Sequence, residues 1–252
     1  MGTSLMEVKN LRKAFGGLLA LDDLDLRIEK NTIVGLIGPN GAGKTTLINI
    51  LSGIYRPNSG EVFFRGNNVT GWKPHKLVEI GIGRTFQTTR LFNEKTVLEN
   101  ILMAQHLVTY PGARKAYTGK VRKKDGESAE GILRFVGLYA YRHDLAKNIP
   151  FAQQRRLAIG LALATEPELL LLDEPVAGMN PLEAQKMMEL IQGIREQGTA
   201  ILMIEHNMQV VMSLCHWIMV LNYGRKIAEG TPEEISGSEV VIQAYLGEEH
   251  DS

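Results

Sequence analysis

Three short apolar runs, Thr32-Ile33-Val34-Gly35-Leu36-Ile37, Glu168-Leu169-Leu170-Leu171-Leu172-Asp173-Glu174-Pro175 and Thr199-Ala200-Ile201-Leu202-Met203-Ile204, contain no regular polar interruption. Runs of this kind predict strands covered on both faces. Two other stretches, Leu5–Leu11 and Leu24–Ile28, alternate apolar with polar positions and predict half-exposed strands of an antiparallel sheet, with a turn at Phe15-Gly16-Gly17 between them. Glu61–Gly66 predicts a short strand after the turn Arg56–Gly60, and Gly81–Gln87 a strand ending in a polar residue. Helical spacing is expected over Lys44–Ile54, around Pro74–Ile80, from about Gln153 to Ala164, and over Pro181–Gln197, where Leu182, Met187, Leu190, Ile191 and Ile194 repeat at near-helical intervals. Thr96 with Glu99, and Thr231 with Glu234, are spaced as capping boxes. Trp217–Leu221 and Lys226–Glu229, separated by Asn222-Tyr223-Gly224-Arg225, predict a hairpin. Apolar strands alternating with helices give an α/β architecture with a mainly parallel core sheet. An antiparallel β-subdomain near the N-terminus and a helical subdomain at about 88–164 complete a single domain over 1–252.

The first apolar run feeds directly into Gly38-Pro39-Asn40-Gly41-Ala42-Gly43-Lys44-Thr45-Thr46. This fills every fixed position of G-x-x-x-x-G-K-[ST] between a strand and a helix, the arrangement of a phosphate-binding loop. Glycines let successive backbone N–H groups converge on one anion, and the following helix adds the positive end of its dipole. Lys44 is expected to reach the β- and γ-phosphates of ATP, and the Thr45 hydroxyl to take a position on Mg²⁺. Polar groups also close the other apolar strands: Gln87, then Asp173 and Glu174, then His206. An open α/β sheet places its ligand at such strand ends. Asp173 is expected to hold the metal through its water shell and Glu174 to act as general base toward the attacking water. Gln87 and His206 are expected on the γ-phosphate side, Gln87 also beside the metal. Phe15 is either an adenine-stacking ring or an ordinary core aromatic.

Charge adds little: Lys+Arg 28 equals Asp+Glu 28, which gives no overall reason to expect nucleic acid as partner. The single cysteine, Cys215, excludes an internal disulfide, and its apolar helical surroundings predict a core residue. No stretch approaches the roughly twenty apolar residues of a membrane span, and the N-terminus lacks a signal-peptide pattern, so a cytoplasmic chain acting at a membrane through a partner is expected. Arg114, Lys115, Lys120, Arg122, Lys123 and Lys124 form a basic stretch that suits a solvated loop or, alternatively, anionic lipid headgroups.

The order of the phosphate loop, Gln87, the Gln153-Gln154-Arg155-Arg156 helix, Leu169–Pro175 and His206 resembles the nucleotide-binding subunits of ABC transporters over nearly the whole chain. Arg84-Thr85-Phe86-Gln87, Leu91-Phe92, Thr96–Asn100, Ala177–Pro181 and Ala244-Tyr245-Leu246-Gly247 are similar to the larger ATPase subunit of the high-affinity branched-chain amino acid importers. The resemblance implies a P-loop NTPase fold of the ABC ATPase type, with two such subunits meeting head to tail around ATP and with permease subunits in the membrane. A solute-binding protein would be an indirect partner. It also implies that Phe15 stacks on adenine and that Gln87 lies on the loop toward the permease.

One segment departs from the family pattern. Where relatives carry Leu-Ser-Gly-Gly-Gln, this chain has Ile149, Pro150, Phe151, Ala152 and Gln153. The family's serine hydroxyl and glycine N–H groups act in trans on the γ-phosphate; Pro150 offers neither, and Phe151 and Ala152 restrict backbone that glycine frees. Leu161 also replaces an arginine common in the helix that follows. An asymmetric pair is therefore expected, with this chain's phosphate loop completed by a partner's intact segment. Two other readings stay open at this point: the ATPase of a lipid or polysaccharide exporter, and a regulatory nucleotide-binding module with impaired hydrolysis.

Overall fold

The computed structural model describes residues 4–85, 91–109 and 123–246. Its framework is a six-stranded sheet formed by β3 (Ile33–Ile37), β6 (Ile82–Arg84), β7 (Leu169–Asp173), β8 (Ala200–Ile204), β9 (Trp217–Asn222) and β10 (Arg225–Gly230). Their order is β10-β9-β3-β8-β7-β6; all neighbours run parallel except the β9–β10 hairpin. The predicted burial on both faces is realised residue by residue. Leu169 and Leu171 enter one apolar cluster while Leu170 and Leu172 enter the other, and Ile201 and Leu202 divide the same way.

The first cluster joins the central sheet to an antiparallel sheet of β2 (Leu18–Ile28), β1 (Met6–Phe15), β4 (Ser59–Phe64) and β5 (Asn67–Asn68). Helix α1 (Lys44–Leu51) contributes Leu47, Ile48, Ile50 and Leu51 to that cluster. On the opposite face pack α3 (Val97–Thr109), α4 (Lys123–Phe135), α5 (Phe151–Leu163), α6 (Pro181–Glu196) and α7 (Met208–Leu214), with the C-terminal α8 (Pro232–Ser236) and α9 (Glu239–Leu246). The short helix α2 (Pro74–Glu79) leads into β6. None of the described helices is long and apolar enough to cross a membrane.

Both predicted capping boxes form. The Glu99 N–H donates to the Thr96 hydroxyl at 3.1 Å and the Thr96 N–H to the Glu99 carboxylate at 2.7 Å; Thr231 and Glu234 repeat the pattern at α8. Boundaries differ from expectation at three places. Helix α1 stops at Leu51, because Gly53 turns left-handed (φ 77). Helix α5 begins at Phe151 rather than Gln153, with Pro150 as its N-cap (φ −57, ψ 155). Of the strand expected over 81–87, the described residues form ladder pairs with β7 from Ile82 to Arg84, and Phe86 and Gln87 lie outside them. Gln87 and most of the basic stretch, Arg114 to Arg122, lie outside the described residues. Cys215 caps the end of α7 and is buried, with its sulfur against Gly35 of β3. Burial, reinforced by the charge of Glu205, pushes its thiol up to about 12, so it is an inert core residue.

Candidate active site

Between β3 and α1 the chain turns across the carboxyl end of the sheet. Gly38 (φ 143) and Gly43 (φ 101) both need a backbone that side chains disfavour. A Cβ on Gly38 would strike the Leu221 carbonyl oxygen, and one on Gly43 would lie 2.5 Å from that of Ala20. The loop thus rests on β2 and on the β9–β10 hairpin. Gly224 in the hairpin turn donates its N–H to the Ala42 carbonyl at 3.1 Å, and Asp22 donates its N–H to the Gly224 carbonyl at 2.9 Å. The buried Asp22 carboxylate in turn accepts from Arg225 at 2.9 Å and pairs with Arg12 at 2.8 Å. Its carboxyl is held below the usual range, by the Arg225 hydrogen bond first, against the opposing effect of burial.

Helix α1 has no side-chain N-cap and no acid in its first turn, so its leading N–H groups and positive dipole end are left for an anion. The buried Lys44 ammonium donates to the carbonyls of Gly38 and Pro39 at 2.5 and 2.7 Å, while Thr45 is exposed on the first turn. Facing this loop, Glu174 follows β7 with a left-handed backbone (φ 49), and its Oε1 lies 2.9 Å from Nε2 of His206, which follows β8. Together these residues bound a groove of about 420 Å³ whose lining includes Phe15, Asn40–Thr46, Glu174, His206 and Tyr223. Phe15 is 41% exposed, edge-on to Tyr55 at 5.2 Å with the Lys13 ammonium 4.9 Å from its ring centre, so it is not a core aromatic.

Asp173 is placed differently from its neighbour. It does not line the groove; it is buried, with an oxygen 3.5 Å from Arg84. Arg84 also donates to Asn49 Oδ1 and Ser52 Oγ of the α1 segment, both at 2.7 Å. Burial pushes the Asp173 carboxyl up although Arg84 pulls it down, and burial likewise lowers the Arg84 guanidinium. Pro150, Phe151, Ala152 and Gln153 are not part of the groove; Phe151, half-exposed, heads α5 beside Arg155 and Gly178.

A larger cavity, about 770 Å³, lies at the opposite ends of the strands, lined by Thr32, Val34, His216 and Trp217 among others. Several of its charged side chains engage each other, Glu7 with Lys9 and Arg27, Lys226 with Glu229, and none of its lining belongs to the glycine loop. The phosphate chemistry therefore belongs to the smaller groove.

The profile of the ABC transporter family matches residues 21–177, more than half of the chain. The chain belongs to the ABC transporter family. It is an ABC-type ATPase, a class whose ATP hydrolysis is coupled to transport. A second profile, the branched-chain amino acid ATP-binding cassette transporter, matches residues 225–251. Over 98% of its length the chain is 42% identical to the high-affinity branched-chain amino acid transport ATP-binding protein LivG of Salmonella typhimurium, all of which is covered. The same identity and coverage hold for its counterpart BraF of Pseudomonas aeruginosa. The lipopolysaccharide export ATP-binding protein LptB of Haemophilus influenzae is 31% identical, with 98% of each chain covered. Among solved structures, the ADP conformation of an ATP-binding cassette of an ABC transporter superposes with a TM-score of 0.87 at 31% identity, covering 97% of this chain and 99% of that one.

The groove fits the nucleotide of this ATPase family: the loop is curled where Cβ atoms would collide, and a helix N-terminus opens onto it. For a divalent ion the chain offers the Thr45 hydroxyl and Asp173, and the described residues hold no cluster of three or more His, Cys, Asp or Glu. The hydroxyl and carboxylate oxygens are hard donors of the kind Mg²⁺ takes, with phosphate oxygens and water filling the rest of its shell.

Sequence reading did not single out Arg84, Asn49 or Glu205. Arg84 carried a signal, a cation closing an apolar strand, but its partners sit on an element distant in sequence. Glu205 stands directly before His206, where its orientation could not be read from spacing.

Proposed function

We propose that the chain is the ATP-hydrolysing subunit of a membrane importer for branched-chain or related amino acids. The observation that carries the reading is the Glu174–His206 pair, 2.9 Å apart and facing the glycine loop across one groove. Phe15 offers a ring to the adenine, backbone N–H groups of 40–46 take the phosphates, and Lys44 exchanges its two carbonyl partners for phosphate oxygens. The Thr45 hydroxyl, and Asp173 through a shell of water, would hold Mg²⁺, which would supply charge neutralisation at the phosphates. Glu174 accepts the proton of the attacking water, and His206 keeps the carboxylate aimed at the γ-position. Gln87 completes the metal side and links it to the permease.

Nucleotide-driven closure with a second ATPase subunit would couple the chemistry to permease subunits, holding the chain peripherally on the inner face of the membrane. Because Pro150 cannot donate an N–H and Ala152 narrows the backbone, we further propose that the competent site forms with a companion subunit rather than with a second copy. The exporter reading is favoured by the resemblance to the lipopolysaccharide system, but the branched-chain profile on residues 225–251 favours import.

Steady-state Mg·ATP hydrolysis, by the chain alone and mixed with its companion ATPase subunit, tests this. Turnover that is slow alone, rises in the mixture and collapses in Glu174→Gln supports it. Nucleotide binding without hydrolysis in every mixture would leave a regulatory binding module.

A further inference from the structure

β7 and β8 cease to pair at Asp173 and Ile204, where the Glu174 N–H reaches the Ile204 carbonyl at 3.0 Å. Pro175 comes next and has no N–H, so backbone alone does not extend the ladder. The side chain of Glu205 extends it instead. Its Oε1 accepts the Val176 N–H at 3.1 Å, and its Oε2 accepts the N–H groups of His206 and Asn207 at 3.1 and 3.3 Å. Glu205 is only 3% exposed. A carboxylate at that depth is costly unless its oxygens are satisfied, and here backbone donors from two separate loops satisfy it. One loop carries Glu174 and the other His206, the two side chains that meet across the groove.

We infer that Glu205 is a positioning residue for hydrolysis: without lining the groove, it fixes the separation of the loops that present Glu174 and His206. The inference rests on the roles proposed for that pair. It makes the two loops one mechanical unit, so that displacement of the His206 loop carries Glu174 with it.

The test is Glu205→Gln in the full-length chain. The amide keeps size and burial but turns an NH₂ toward one of the two loops, setting donor against donor. We expect kcat for Mg·ATP to fall about 10- to 100-fold while KM stays within about twofold. In a His206→Ala background the same substitution should cost clearly less than in the parent chain, because one of the two side chains whose separation it fixes is gone. Glu205→Asp, one methylene too short to span both loops, is the second variant and should give the same pattern.

An unchanged kcat, or a loss that adds in full to that of His206→Ala, overturns the inference; a purely structural carboxylate would lower the melting temperature and produce one of those results. Glu174→Gln in the same assay keeps the levels apart. If it leaves turnover intact, the reading of the pair fails, and the ¹⁵N resonances of the His206 ring then decide for Glu205. Resonances displaced by Glu205→Gln preserve its positioning role, and unmoved resonances overturn it.

Discussion

Glu174 holds a left-handed backbone (φ 49), a conformation that costs a non-glycine residue roughly 1–3 kcal/mol. The surrounding contacts, Ile204 on its N–H and His206 on its carboxylate, hold it there. Glu174→Gln preserves shape and removes the base, so kcat should fall about 10²- to 10⁴-fold with ATP affinity retained, measured by turnover beside nucleotide titration. Arg84 presents a different case, in which the prediction concerns stability and pH. Burial raises the Asp173 carboxyl above its ordinary value, so the folded chain binds that proton more tightly than the unfolded one, and stability declines as pH rises through the folded value. Arg84 offsets this loss. Arg84→Met should therefore be destabilising by about 3–5 kcal/mol at neutral pH, where the buried Asp173 loses its nearest cation. The deficit should shrink as pH falls and the carboxyl takes up its proton, as thermal melts along a pH series would show. The sequence displayed Lys44, Thr45, Asp173, Glu174 and His206 because each stands at the end of an apolar strand or in a fixed spacing. It did not display that Asp173 pairs with Arg84 of the neighbouring strand, since a partnership made across the sheet leaves no local pattern.

At the level of elements, the runs 33–37, 169–173 and 200–204 were legible because burial on both faces demands unbroken apolar residues, whichever strands lie alongside. Strand order was not legible. β9 reads locally as half of a hairpin, yet it lies beside β3 in the interior of the sheet, and that adjacency places the hairpin turn under the phosphate loop. Helix α5 began earlier than its apolar spacing implied, since Pro150 supplies a helix start by its fixed φ and not by any hydrophobic period. The buttressing turn gives a prediction of its own. A Cβ on Gly224 would meet the Ala20 carbonyl oxygen at 2.7 Å, and φ there is 76. Gly224→Ala should weaken ATP binding by about tenfold although residue 224 donates only to the loop behind the nucleotide; isothermal titration would measure it, and unaltered affinity would show the support to be dispensable.

For the whole molecule, the groove and residues 150–153 are separate surfaces, as a head-to-tail pair would require. The proposed asymmetry predicts that Pro150→Ser combined with Ala152→Gly raises hydrolysis by the chain acting alone. Turnover that stays at the parent rate would count against a second copy being the weak partner. The seating of the glycine loop also has a consequence during synthesis. Gly38 packs on Leu221 and Ala42 accepts from Gly224, residues that are added to the chain long after the loop itself. At ~5–20 residues per second, the nascent chain carries an unfinished loop for on the order of ten seconds or more. A half-made subunit thus holds its fuel more loosely, and the cell's ATP stabilises the fold in full once β9 and β10 are released.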